Sequence, residues 1–379
     1  MQETKRKLFL DVKEKPKSKV QWGLLSFQHV FAMFGATILV PILTGLPISV
    51  ALFTSGVGTL IYILCTKAKA PVYLGSSFAY IGAVIVAANV VKDDFGNIIS
   101  TGSYAPALTG LFVVGIVYVI IALIIKFTGK KWLEKLLPPI IVGPMIVLIG
   151  LSLSSTAVNM AGLDGSGNWQ GIVTAVAALL ITVLVAIKAK GFFKIIPFLC
   201  GIVGGYLIAL VLDFATVGDN MINFTNLVAV LQDPGQWFKV PSFMVIGWED
   251  QTLFGNVTMY KINFAAALSI APLAFVTACE HIGDHQVLGK IIDKNLIQDP
   301  GLDKTLMGDG LATAFAAAVG GPANTTYGEN TGVVGMTRVA SVYVTGLAAI
   351  IAILLSFVNV FTTLIGTIPT PVMGGICII

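Results

Sequence analysis

The sequence predicts an all-α polytopic membrane protein, and three observations carry that prediction. Hydrophobic residues make up 56% of the 379 and charged residues only 11%, whereas a water-facing globular domain uses about 25% charged residues. Windows free of charge recur along the chain, at lengths that suit a bilayer. Lysine and arginine gather in alternate connections between those windows. Such a composition excludes a cytosolic enzyme, a secreted disulfide scaffold and a disordered chain.

The windows run 20–66, 70–91, 95–125, 136–163, 165–187, 195–212, 262–279, 310–328 and 339–379. A helix needs roughly 20 apolar residues to cross about 30 Å of hydrocarbon. The first window therefore holds two crossings, broken at Gly45, Pro47 and Ser49, and the last holds one crossing and the start of another. Ahead of them Met1 to Lys19 is polar and basic, with no apolar core of a signal peptide. Cys65, Cys200, Cys279 and Cys377 lie in apolar stretches without metal or redox spacing and read as small hydrophobes.

Basic residues fix the expected orientation. The tail carries Lys5, Arg6, Lys7, Lys13, Lys15, Lys17 and Lys19. Lys67 and Lys69, then Lys126, Lys130, Lys131 and Lys135, then Lys188, Lys190 and Lys194, then Lys290, Lys294 and Lys304, then Arg338 fall on the same side. Only Lys92, Lys239 and Lys261 fall on the other, so 20 of 23 basic residues share one face. That face is cytoplasmic by the positive-inside rule, and the N-terminus with it. Opposite connections are acidic or neutral, with Asp93, Asp94, Asp164, Asp213, Asp219, Asp233, Glu249 and Asp250. The net charge of +4 follows from this placement.

Parity sharpens the picture. Lys304 and Arg338 share a side, so the chain between them crosses an even number of times, yet only 33 residues separate them. At least one crossing must be shortened, with non-helical backbone at membrane depth, which is tolerated only against protein or a watery cavity. There Asn324-Thr325-Thr326-Tyr327-Gly328-Glu329 resembles Gly75-Ser76-Ser77-Phe78-Ala79-Tyr80, each after a proline, Pro322 and Pro71. Gln28-His29 and Glu280-His281 stand at matched distances upstream. The two stretches are the third and tenth crossings and run in opposite directions. The expectation is a 7+7 inverted-repeat transporter fold with broken spans 3 and 10, whose helix N-termini present donors to a shared cavity.

Few acids lie within the spans: Glu280, Asp284 and Glu329, with Asp309 near an inner helix end, where it reads as an exposed terminus. Glu280 and Asp284 are four apart and share a helical face; His281 and His285 share the neighbouring one. An ionisable group at depth is costly unless it faces protein or water. A carboxyl in a dry site resists ionisation, so it can take a proton from one side and lose it on the other. When ionised it accepts hydrogen bonds from solute N–H groups. Phe78 or Tyr327 could stack on a flat ring, although core packing is the ordinary role of an aromatic in a span. A proton-coupled carrier of an N–H-bearing solute fits these residues. His281 and His285 also have the spacing of a zinc-binding HExxH helix, which keeps an intramembrane metalloenzyme as a rival. Against it, the acid precedes the first histidine and no third ligand is evident. A passive channel, the third class, would not need titratable acids at the break.

The stretch Glu329-Asn330-Thr331-Gly332-Val333-Val334-Gly335-Met336-Thr337-Arg338 resembles the signature of the nucleobase–ascorbate transporter family. Gln28 to Thr37, Leu74 to Ala79, Glu280 to Gly283 and Asn324 to Asn330 are similar to its uracil branch, in the right order, from about residue 20 onward. The resemblance implies proton symport of a nucleobase at the cell membrane by alternating access, with no cofactor. It implies that Glu280 and Glu329 bind a pyrimidine ring such as uracil, that Phe78 contacts it, and that backbone at Ala36 and Gly328 lines the pocket beside Tyr327. Glu329, Asp284 and His281 would share the proton. A purine permease (xanthine or urate) of the same family is the alternative.

The implied organisation is a cytoplasmic tail (1–19), a core domain (20–130, spans 1–4, and 258–365, spans 8–11) and a gate domain (131–257, spans 5–7, continuing at 366–379). Against the family pattern the chain stops within span 12, in the apolar run Pro371 to Ile379. The remaining gate spans also make the homodimer contact that the family implies. Asp284 departs from the pattern too, standing where a proton-coupling histidine is implied, so the imidazole role does not carry over.

Overall fold

The computed structural model describes residues 8–92, 98–129, 132, 139–165, 168–215 and 221–379. Lys5, Arg6, Lys7, Asp93, Asp94, Lys130, Lys131, Lys135 and Asp219 lie outside the described residues.

The first charge-free window forms α1 (Lys19–Thr44) and α2 (Ile48–Cys65). Ser18 caps α1 through the Gln21 N–H, and Gly45 ends it at φ 77°, a left-handed angle that glycine adopts without steric cost. The second window is not one helix. It forms a short strand, β1 (Leu74–Ser76), a 3-10 turn (Phe78–Tyr80) and α3 (Ile81–Ala87). A small ladder of β2 (Val91–Lys92) and β3 (Ile98–Ser100) leads to α4 (Ala105–Thr128). Then come α5 (Pro139–Met160), α6 (Trp169–Lys188) and α7 (Pro197–Ala215). A connection follows with α8 (Thr225–Gln232) and a sheet of β4 (Met244–Gly247), β5 (Gln251–Phe254) and β6 (Val257–Lys261), ordered β4-β6-β5.

The window 262–279 understates its helix. Residues Phe264–Ile270, including α9 (Ala267–Ile270), bend by 48° into α10 (Leu273–Ile292), which runs on through Glu280, Asp284 and Lys290. Between Lys304 and Arg338, where parity demands a shortened crossing, α11 (Leu302–Ala318) gives way to β7 (Asn324–Thr326) and the ten-residue α12 (Gly328–Thr337). The terminal apolar window is also broken. It forms α13 (Val342–Ser356), then α14 (Asn359–Ile365) and α15 (Thr370–Cys377), bent by 71°. Among the described residues, five helices are long and apolar enough to cross a membrane, or up to seven if each bent pair is one span.

Helices α4 and α11 pack closely, as do α2 and α13 and α6 and α7, and α15 packs against α5, α6 and α7. Small residues permit this: a Cβ on Gly115 would lie 2.5 Å from the Ala314 nitrogen, and one on Gly310 would lie 2.7 Å from the Tyr118 Cβ. Lipid gives helices no hydrophobic reason to associate, so such van der Waals approach carries much of the packing.

Candidate solute site

The two broken stretches meet. β1 pairs antiparallel with β7, Leu74 opposite Thr326, Gly75 opposite Thr325 and Ser76 opposite Asn324. The Ser77 N–H donates to the Ala323 carbonyl at 2.8 Å and the Tyr327 N–H to Tyr73 at 3.1 Å, so the extended backbone is satisfied on both sides of the crossing. Neighbouring helices complete the support. Ser55 donates to the Leu74 carbonyl at 2.9 Å, the Leu74 N–H donates to Thr59 at 2.9 Å, and Asn324 donates to the Thr54 carbonyl at 3.0 Å. Proline contributes indirectly. Pro41 lies inside α1 and has no N–H for the Thr37 carbonyl one turn back, and the Ser76 hydroxyl donates there at 3.3 Å.

Immediately beyond the strands the chain turns helical again, at Phe78 and at Gly328, so two helix starts lie beside the crossing. Gly328 is exposed and open around its Cα; Phe78, Glu280, Asp284 and Glu329 are half-buried; Ala36 and Tyr327 are buried. Helices α10 and α12 pack together. Glu280 and Asp284 stand on α10 and Glu329 on α12, while Asp309 stands on α11. Asp284 accepts from the Thr326 hydroxyl at 2.6 Å, which ties α10 to the strand crossing. Glu329 stands in the first turn of α12. Among the described residues no lysine or arginine is buried, so these acids gather without an internal cation.

Of the residues proposed from the sequence, Phe78, Tyr327, Gly328 and Glu329 stand at the crossing, Asp284 is tied to it, Ala36 packs in one apolar cluster with Tyr327, and Glu280 and His281 share α10 with Asp284; two points qualify this. The Tyr327 ring is already committed: it packs on Gly75, and its hydroxyl donates to the Ser76 carbonyl at 3.1 Å and accepts from Thr37 at 3.3 Å. Phe78 keeps the freer aromatic surface. Asp309 corrects the reading of an exposed terminus: it is 1% exposed, with Oδ2 2.7 Å from His281 Nδ1. Gly308 and Gly310 flank it and let α11 press against Tyr62 and Tyr118, so the carboxyl is enclosed rather than solvated.

Two polar pairs were not foreseen. His285, stacked on His281 with ring centroids 4.0 Å apart, hydrogen-bonds the Tyr62 hydroxyl. Asn330 donates to the His29 carbonyl at 3.0 Å. A signal for the second was present, since His29 and Asn330 both stand in the stretches that resemble the family; nothing in the sequence pairs Tyr62 with His285. Of the pair with zinc-helix spacing, His281 turns to Asp309 and His285 to Tyr62, and among the described residues no group of three or more His, Cys, Asp or Glu could hold a metal ion.

Apolar helices in quantity, a crossing of two interrupted segments and uncompensated acids beside it define a polytopic membrane transport protein of mostly helical build. Comparison makes this specific. Residues 20–379 match the permease family of xanthine and uracil carriers. The chain is 45% identical over 372 residues to the uracil permease of Bacillus caldolyticus, covering 98% of this chain and 79% of that one. It is 37% identical over 361 residues to the uracil permease of Escherichia coli strain K12, covering 94% and 75%. Among solved structures, the transmembrane domain of a cyanobacterium bicarbonate transporter, BicA, aligns with a TM-score of 0.62 at 15% identity, covering 97% of this chain and 89% of that one. That last likeness is one of fold alone. The chain belongs to the permease family, within the nucleobase–ascorbate transporters, and is a carrier rather than an enzyme.

Proposed function

We propose that this permease imports uracil across the cell membrane together with a proton, by alternating access. The observation that carries the reading is the placement of Glu280 and Glu329, half-buried, on packed helices beside the open start of α12, with no buried cation among the described residues. Uracil alternates N–H donors and carbonyl acceptors round its ring. The two carboxyls accept from the N–H groups, and backbone N–H groups near Gly328 donate to a carbonyl. Phe78 offers a face for the ring, with Ala36 and Gly328 as backbone lining and Tyr327 holding the crossing in place. The solute is neutral, so the coupled charge must travel on the protein. A carboxyl that alternates between charged and neutral forms does this, and Glu329, Asp284 and His281 form the proton network.

In this reading the β1–β7 pair is the centre of a 7+7 inverted repeat. Residues 20–130 and 258–365 form the solute-holding core, 131–257 and the segment from 366 form the gate, and the N-terminal side is cytoplasmic. The antiparallel register and the one-sided basic residues support it. The test is uptake of labelled uracil into energised vesicles. Glu280→Gln and Glu329→Gln should each abolish accumulation, and an uncoupler should abolish it in the wild type. Unchanged accumulation in either variant rejects the site. Accumulation of labelled xanthine by vesicles that do not accumulate labelled uracil would reject the substrate.

A further inference from the structure

The segment ahead of α1 is bonded into the fold. The Phe9 N–H donates to the Arg338 carbonyl at 2.8 Å, the Ala340 N–H donates to Leu10 at 2.9 Å, and the Val342 N–H donates to Val12 at 3.0 Å. The Ser341 hydroxyl donates to the Glu14 carbonyl at 2.5 Å. Leu10 is 7% exposed and Val12 is 2% exposed. The Lys294 ammonium donates to Asp11 at 2.7 Å, and the Lys15 ammonium lies 4.7 Å from the centre of the Tyr343 ring. Residues 338–342, which join α12 to α13, therefore draw several of their backbone partners from residues 9–12 rather than from a helix of their own.

What the strap reaches is the inner end of the site. Val12 packs in one apolar cluster with Leu288 and Ile292 of α10, Val334 of α12 and Leu74 of β1. Helix α10 carries Glu280 and Asp284, and it ends at Asp293, in the left-handed conformation at φ 57°. The next residue, Lys294, makes the ion pair with Asp11. Helix α12 carries Glu329 and ends at Arg338, left-handed at φ 60°, whose carbonyl accepts from Phe9. Leu288 lies four residues beyond Asp284 and eight beyond Glu280, and Val334 five beyond Glu329, so the strap sits about 6–8 Å along the helix axes from Asp284 and Glu329 and about 12 Å from Glu280.

From this geometry we infer that residues 8–15 form a positioning strap, which fixes the inner ends of α10 and α12 against one another and so sets the spacing of their acids. α12 is only ten residues long and starts from a strand crossing, so its depth depends on what holds its two ends. The inference rests on the reading of Glu280 and Glu329 as the solute site, and its test includes a readout that does not use the solute.

The experiment compares the wild type with Val12→Asp, which puts a charge into the apolar cluster, and with Asp11→Lys, Lys294→Asp and the double swap. Amide hydrogen exchange is followed at 328–337 and 285–292, with residues 107–122 of α4 as the internal reference, and uracil affinity is measured on the same samples. The expected result is exchange about tenfold faster at 328–337 in Val12→Asp with the α4 reference unchanged, together with a several-fold loss of uracil affinity. The single charge reversals should give a smaller increase, and the double swap should restore protection. Should Val12→Asp fail to fold, the charge series decides alone. Wild-type exchange at 328–337 in every folded variant overturns the strap, and so does faster exchange with uracil affinity unchanged. Faster exchange in a protein whose wild type binds no uracil overturns the substrate reading and leaves the mechanical role standing.

Discussion

Gly75→Ala is the sharpest probe of the strand crossing. A Cβ at Gly75 would lie 2.3 Å from the Tyr327 Cε2 and Cζ atoms and 2.7 Å from its hydroxyl oxygen. The ring cannot simply swing away, because it is 4% exposed and its hydroxyl is bonded to Ser76 and Thr37. Either the ring shifts by about 1 Å or more, or the strands part. Overpacking of this kind costs about 1–3 kcal/mol, and losing the Tyr327–Ser76 hydrogen bond adds about 1 kcal/mol. We expect a destabilisation of about 2–4 kcal/mol and weaker uracil binding, since Gly328 and Glu329 follow directly on the displaced tyrosine. The assay is thermal unfolding in detergent alongside uracil affinity. Tyr327→Leu removes the obstacle, so the double variant should be more stable than the sum of the singles by about 1–3 kcal/mol. A Gly75→Ala protein that melts and binds like the wild type would refute the account of how the crossing is held.

Two further outcomes follow from buried and surface carboxyls. Asp309→Ala should destabilise the fold by about 1–3 kcal/mol, because it leaves the His281 ring nitrogen without its partner in a site closed to water; Asp309→Asn, which retains an acceptor, should cost less, and thermal melting of both variants checks the order. Ahead of α1 the hydrogen bond from Lys294, aided by its charge, holds the Asp11 carboxyl below its ordinary value of 3.8. A depressed folded-state value means that the tie contributes above pH 3.8 and is lost as the pH falls further. The pair is about half exposed, so the contribution is about 0–1 kcal/mol. Exchange protection of residues 9–12, corrected for intrinsic rates, should fall between pH 6 and pH 3 in the wild type, and Asp11→Asn should lose that dependence.

Composition and charge placement determined the class of this protein without help from the fold. Lipid offers no partner to a backbone or an ionised side chain, so spans announce themselves as charge-free windows and the breaks as windows too short to cross. The interruption between Lys304 and Arg338 followed from counting, and β7 with the short α12 is what fills it. Glu280, Asp284 and Glu329 were legible for the same reason, since acids within apolar segments are conspicuous. Windows nevertheless misjudged α10, whose acid-bearing turns lie beyond the charge-free run, because a helix tolerates charge wherever its face meets protein. Tertiary structure alone decided what each polar group meets. Asp309 looked solvated because sequence cannot tell a helix end that packs on its neighbours from one that faces water; the glycines beside it and the closeness of α2 and α4 settle the matter. Tyr327 against Gly75, Tyr62 with His285 and the strap along residues 338–342 join positions hundreds of residues apart, and no local pattern encodes a contact that exists only once distant segments are packed.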